Sequence, residues 1–236
     1  MRISVVIPAK NEADYIEGLF QSIEMQKFDD YEIILADGGS DDGTTDIAAE
    51  YGAKILSEDD DGPGEARNSG AEMAEGDILL FLDSDVELEH EDVFSDVDDA
   101  MREDGVIAGS STWKTFDANL RGHLLLGSGS RLMKMVHVLG MSVAVGNFLF
   151  VDREIFEEVG GFDEELPYHE DHDLMERIEP KGKVVMLDRE FRVSGRRISN
   201  RGFFGTLMDY LPPSIEYWLG REDQMKERYE FTSGSS

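Results

Sequence analysis

The sequence predicts an α/β fold: one domain built on a Rossmann-like, mixed but mainly parallel sheet with helices on both faces. Three observations predict it. Short apolar runs rich in β-branched residues recur at 3–7, 32–36, 78–82 and 184–187, without the strict alternation of a half-solvated strand. Helical patterns lie between the first three runs, which is the strand–helix alternation of a parallel sheet. The 236 residues, 40% of them hydrophobic, suffice for one large core.

Taken in order, residues 3–7 (Ile-Ser-Val-Val-Ile) form the first strand. Residues 12–25 follow as a helix, because Ile16, Leu19, Phe20 and Ile23 fall on one stripe. Residues 32–36 are the second strand, 43–51 and 65–74 the next helices, and 78–82 the third strand. Beyond that the periodicity weakens. Segments 106–109 and 143–151 read as strands, 171–178 as a short helix, and 184–187 as a last strand. Residues 119–141 form a long apolar helical stretch interrupted by Gly127, Gly129 and Gly140. Residues 203–219 are aromatic-rich and broken by Pro212 and Pro213. No repeat or long linker divides the chain, so residues 1–231 are expected to be one domain and 232–236 a flexible tail.

Charge excludes some functions. Asp and Glu total 52 against 22 Lys and Arg, a formal net charge of −30. Phosphate backbones need a basic surface, so nucleic acid is not an expected partner. An acid-rich, lysine-poor surface fits a protein of an extreme halophile, since in molar salt the Debye length is about 3 Å and self-repulsion is screened. There is no cysteine, hence no disulfide and no thiolate metal site. The first residues lack a secretion-signal pattern, and no run of about 18 apolar residues occurs. A cytoplasmic location is therefore expected.

In a doubly wound sheet, ligands bind beyond the carboxyl ends of the strands. That edge would gather 8–11, 37–42 and 83–85, three polar or Gly-rich loops each following a strand. Asp83-Ser84-Asp85 follows Ile-Leu-Leu-Phe-Leu. In an extended segment, residues i and i+2 point to one side, so both carboxylates would converge on a hard cation, Mg²⁺ or Mn²⁺, that bridges to a diphosphate. Asp-x-Asp alone is weak in so acidic a chain, and 59–61 and 171–173 also match it. In Asp37-Gly38-Gly39-Ser40-Asp41-Asp42-Gly43-Thr44, the glycines permit close approach to a ligand and Asp37 can accept bonds from a base or ribose. Asp41 or Asp42 can equally cap the next helix. Arg67 is one of few cations here and suits a phosphate or base contact. His169 and His172 stand i, i+3 with acids between them, but a zinc site needs a third ligand, and none is evident.

Together these motifs resemble the family-2 glycosyltransferases of GT-A fold. The matching pieces, in the family's order, are Val5-Val6-Ile7-Pro8-Ala9-Lys10-Asn11-Glu12, Asp37-Gly38-Gly39-Ser40-Asp41-Asp42-Gly43-Thr44, Ala66-Arg67-Asn68-Ser69-Gly70, Asp83-Ser84-Asp85, Gly146-Asn147, Gly160-Gly161-Phe162-Asp163 and Glu170-Asp171. The resemblance implies an inverting enzyme, and the Gln-x-x-Arg-Trp motif of the family's processive synthases does not occur in this sequence, which favours single transfers. Residues 1–110 would be its donor half and 111–231 its acceptor half. Pro8, Glu12, Asp37 and Arg67 would border the nucleotide of a UDP- or GDP-sugar. Asp83 would lie on the ribose side, with Ser84, Asn147 and Arg197 also at the nucleotide-sugar. Asp85, with Asp83, would hold Mn²⁺ or Mg²⁺. Asp171 would deprotonate the acceptor, with Glu170 beside it. Members often carry a second acid where Gly38 stands, so a contact from that side chain is lost. Segments 119–141 and 203–219, with Phe203, Phe204, Tyr210, Tyr217 and Trp218, could dock on a membrane bearing a lipid-linked acceptor; core packing or a dimer face is the plainer reading. Two rivals are a sugar nucleotidyltransferase, disfavoured by the lack of glycine at 8–12, and a non-catalytic nucleotide-sugar-binding module.

Overall fold

The computed structural model describes residues 1–57, 62–115, 146–196 and 220. The stretches 119–141 and 203–219, Arg197 and the tail 232–236 lie outside the described residues. In chain order the elements are β1 (Ile3–Ala9), α1 (Ala13–Glu24), β2 (Tyr31–Asp37), α2 (Thr44–Glu50), β3 (Lys54–Ser57), α3 (Pro63–Glu72), β4 (Ile78–Leu82), β5 (Val86–Glu87), α4 (Val93–Met101), β6 (Val106–Thr115), β7 (Phe148–Asp152), α5 (Arg153–Val159), α6 (Glu170–Ile178) and β8 (Lys183–Val193). Among the described residues these strands form one sheet in the order β3-β2-β1-β4-β7-β6-β8-β5.

The first half is wholly parallel: β1 pairs with β2 and β4, and β2 with β3. β7 then runs antiparallel to both β4 and β6. β8 returns parallel to β6, and β5 pairs antiparallel with it at the far edge. The sheet is therefore mixed, as expected.

Why both faces are covered follows from β1. Ile3, Val5 and Ile7 point to one face and Val6 to the other, and all four are fully buried. On the first face α1 contributes Ile16, Leu19, Phe20 and Ile23, and α4 adds Val93, Phe94 and Val97. On the second, Val6, Ile34, Leu79, Phe81, Leu149 and Val151 pack against Phe156 of α5 and Leu174, Met175 and Ile178 of α6. α3 packs directly against β1 through Gly70. A Cβ added at Gly70 would stand 2.5 Å from Val6 Cγ1, so a glycine is what allows that approach.

Among the described residues, the α-helices and strands read from periodicity shift only at their ends, but four others were not read. β3 and β5 are too short to show a period. α4 is interrupted by acids, although Val93, Phe94, Val97 and Met101 make a buried stripe. α5 follows β7 after no loop at all; Asp152 accepts the Ile155 N–H at 3.1 Å and starts the helix.

Because β2 and β4 flank β1, the chain departs to opposite sides of it. In open sheets of this kind ligands bind beyond the carboxyl ends at such a switch point, and there the loops after β1, β2 and β4 emerge.

Candidate active site

The loops after β1 and β2 are stapled together by side chains. Asn11 has a left-handed backbone, φ 55°. Its N–H donates to Ser40 Oγ at 2.9 Å, and its Oδ1 accepts the Asp41 N–H at 2.9 Å. Asp42 accepts from Ala13 N–H and Thr44 N–H, both at 3.0 Å, so one carboxylate anchors the starts of α1 and α2. Asp37, only 2% exposed at the end of β2, accepts the Ser40 N–H at 3.2 Å. Pro8 lies within β1, half-buried beside Ala36. These bonds fix the Gly-rich turn as a shelf at the switch point.

Arg67 is placed differently from the simplest expectation. It is only 3% exposed. Its Nη1 donates to Glu170 Oε1 at 2.7 Å and its Nη2 to Asp83 Oδ1 at 2.8 Å. Its guanidinium lies 5.4 Å above the Phe162 ring. Arg67 is thus a buried strut between the end of β4 and the start of α6, with both outer nitrogens committed. Burial opposes its charge, yet the fields of Asp83 and Glu170 outweigh burial and raise its pKa further. Glu170 moves the other way from an ordinary carboxyl: burial and the neighbouring Asp171 push it up, against the pull of Arg67.

The neighbouring Asn68 completes this support. Its side chain pairs with the backbone of Phe162, accepting the N–H and donating to the carbonyl, each at 2.9 Å. Gly161 has φ 71°, and a Cβ there would sit 2.6 Å from Asn68 Oδ1. The Gly160-Gly161 pair is therefore required by the turn and by this contact.

Asp171 opens α6. Its Oδ2 accepts the Gly146 N–H and its Oδ1 the His172 N–H, both at 2.8 Å. A carboxylate in the first turn of a helix also faces the positive end of the helix dipole. His169 sits at φ 66° just before it, its ring centroid 5.6 Å from that of His172. Among the described residues no three or more His, Cys, Asp or Glu converge on a metal position, so the histidine pair makes no zinc site there.

Asp83-Ser84-Asp85 does not continue the strand. Val86 N–H donates to the Asp83 carbonyl at 3.1 Å, closing a turn across the triplet. The i, i+2 rule for extended chain therefore does not apply, and the two carboxylates have different partners. Asp83 takes Arg67, whereas Asp85 Oδ2 lies 3.5 Å from Arg196 Nε. Ser84 is buried in the turn, and the Asn147 carbonyl accepts the Asp83 N–H at 3.3 Å. Arg196 forks onto Glu12, Nη1 to Oε2 and Nη2 to Oε1, both at 2.6 Å, and stacks 4.5 Å above Tyr15. The family resemblance sets Arg196 and Arg197 where members often carry a loop near the donor phosphates, and a surface basic pair is the equally plain reading of the sequence. The partner of Arg196 is 184 positions away, and no local signal reports that.

A divalent ion fits this donor set. Asp85 is 11% exposed and already faces a cation, and its oxygens are hard donors. Mg²⁺-type sites use one or two carboxylates plus substrate phosphates, so a third protein ligand is not needed.

The sequence model of the family described as "Glycosyl transferase family 2" matches residues 4–160, more than half of the chain. The chain belongs to that family. It is similar to "Glycosyltransferase AglE" of Haloferax volcanii, 40% identical over 91 residues that span 35% of this chain and 30% of that protein. Among solved structures, Staphylococcus aureus TarS 1–349 in complex with UDP-GlcNAc superposes with a TM-score of 0.68 at 21% identity, covering 83% of this chain and 59% of that one. The mannosyltransferase PcManGT from Pyrobaculum calidifontis, in complex with GDP-Man and Mn²⁺, superposes at 0.66 and 18% identity, covering 90% and 66%. The expected single α/β domain, with its mixed and mainly parallel sheet, is the fold of these neighbours.

Proposed function

We propose that this protein is an inverting glycosyltransferase moving a sugar from a UDP- or GDP-sugar to an acceptor hydroxyl or phosphate. One observation carries the reading. The β1/β4 switch point brings the Asp83–Asp85 turn within one Arg67-centred ion cluster of the Glu170-Asp171 pair. Carboxylates for a donor diphosphate and a separate carboxylate for an acceptor thus share one wall. Family membership and the ligands named for the neighbouring structures, UDP-GlcNAc in one and GDP-Man with Mn²⁺ in the other, support it.

In this reading the donor lies across the ends of β1, β2 and β4, held by residues 1–110. Pro8, Glu12 and Asp37 border the base and ribose, with Asp83, Ser84, Asn147 and Arg197 further along. Arg67 acts from behind, holding Asp83 and Glu170 in register. Asp171 takes the proton of the acceptor oxygen as that oxygen attacks the anomeric carbon from the face opposite the diphosphate. One displacement inverts the centre, and the diphosphate leaves with the bonding pair. Asp85 would hold a Mn²⁺ or Mg²⁺ ion, whose charge would offset that of the leaving group, while Asp83, turned to Arg67, stays on the ribose side. The acceptor half, 111–231, includes the apolar stretches suited to a lipid-linked acceptor at the cytoplasmic membrane surface. No described helix is long and apolar enough to cross a membrane. The acid-rich composition suits work in molar salt.

The test is a thermal-shift panel of UDP-, GDP- and dTDP-sugars in molar KCl, with and without Mn²⁺ or Mg²⁺. A cation-dependent rise in Tm with one nucleotide, lost in Asp85→Ala, is the expected result. No shift with any donor in folded protein would remove the reading.

A further inference from the structure

We infer that Arg196 is a resident counter-cation for Glu12 and Asp85 that makes divalent-cation binding conditional on a nucleotide diphosphate. This rests on the glycosyltransferase reading and adds an order of binding to it. Three contacts define the position. The guanidinium forks onto Glu12 at 2.6 Å through both outer nitrogens, its Nε faces Asp85 Oδ2 at 3.5 Å, and its flat face covers Tyr15 at 4.5 Å. Bidentate charge-assisted pairs of this kind fix geometry as well as charge. The backbone aims the side chain at its target. Arg196 N–H donates to Ser194 Oγ at 3.2 Å, and Ser194 N–H donates to the Asp85 carbonyl at 3.1 Å. The arm and the carboxylate it guards are therefore tethered to one another.

The contact with Asp85 is the looser of the two. At 3.5 Å it is an electrostatic approach rather than a made hydrogen bond. Glu12 holds the arm, and the arm offsets part of the charge of Asp85. A free divalent cation arriving at Asp85 meets a carboxylate whose charge is already partly offset and a guanidinium that repels it. A nucleotide diphosphate changes both terms. Its oxygens supply the missing ligands, and its negative charge draws the guanidinium off Asp85. Cation and nucleotide then bind together, and the bare protein stays closed to the cation.

The experiment titrates Mn²⁺ into the protein and follows the free-ion EPR signal at one fixed salt concentration, alone and with saturating UDP or GDP. Wild type is compared with Arg196→Gln and Arg196→Lys, each first checked for a cooperative melt. Arg196→Gln is expected to bind Mn²⁺ about tenfold more tightly than wild type without nucleotide, and Arg196→Lys to lie between them. With nucleotide the gap should close or reverse. Equal Mn²⁺ affinity of wild type and Arg196→Gln without nucleotide overturns the counter-cation role while leaving nucleotide-dependent binding intact. If Arg196→Gln melts early, Glu12→Gln gives the second route. It frees the fork, and unchanged Mn²⁺ affinity there also overturns the proposal. Absence of Mn²⁺ binding in every protein, with and without nucleotide, overturns it together with the metal site itself.

Discussion

Replacing Arg67 with methionine keeps the volume of the strut and deletes its charge. Two ion pairs are lost, at 2.7 Å to Glu170 and 2.8 Å to Asp83, from a side chain 4% exposed. Asp83 and Glu170 both lose the arginine that offsets their charge, and Glu170 stands next to Asp171. Breaking a buried pair by removing one partner costs about 3–5 kcal/mol, most of it the uncompensated partner. For a chain of this size that lowers Tm by about 10 °C. The pH dependence gives the reasoning a second handle. Glu170 is already pushed up by burial and by Asp171, and without Arg67 it rises further. A carboxyl with a raised folded pKa binds its proton more tightly folded than unfolded. Its penalty is therefore absent below the unfolded value, grows as pH rises from the unfolded value to the folded one, and is full above that. Urea unfolding followed by circular dichroism at pH 5 and pH 7.5 should show the larger loss at pH 7.5. The double variant Arg67→Met/Glu170→Gln should recover part of it. A loss under about 1 kcal/mol, equal at both pH values, would refute the strut.

Three further outcomes follow from the same geometry. Gly70→Ala places a methyl 2.5 Å from Val6 Cγ1, so chemical denaturation should show a loss of about 1–3 kcal/mol, relieved by adding Val6→Ala. Burial would raise the Glu32 carboxyl, but Lys54, Ser4 and the Glu75 N–H hold it down at about 2, against 4.5 unperturbed. Its contribution is therefore full above pH 4.5 and lost as pH falls toward 2; Glu32→Gln should cost about 2 kcal/mol at pH 7, after screening around the exposed Lys54, and shrink with acid. Asp171→Asn should lower kcat by a factor of about 10² to 10⁴ with donor affinity unchanged, as read by single-turnover sugar transfer and nucleotide titration.

Sequence by itself determined the parallel half of the sheet. Apolar runs of β-branched residues such as Ile3–Ala9 and Ile78–Leu82 bury both faces of a strand, and that demand is written locally. It also placed the polar loops after β1, β2 and β4 at one edge, because a parallel sheet aligns its carboxyl ends. The resemblance added Glu170 and Asp171, which lie beyond the residues 4–160 that the family match spans. Tertiary structure decided what those side chains do to each other. Arg67 reads in sequence as a cation free for a ligand, but α3 buries it between Asp83 and Glu170, the latter 103 positions away. Asp83 and Asp85 read as a converging pair, but a turn separates them and gives each its own arginine. The Arg196 fork onto Glu12 joins the ends of β8 and β1, which only the closed sheet brings together. Periodicity and turn chemistry act over a few residues, so sequence reports them. Ion pairing acts through space, so the partner of a charge is known only once the fold has chosen its neighbours.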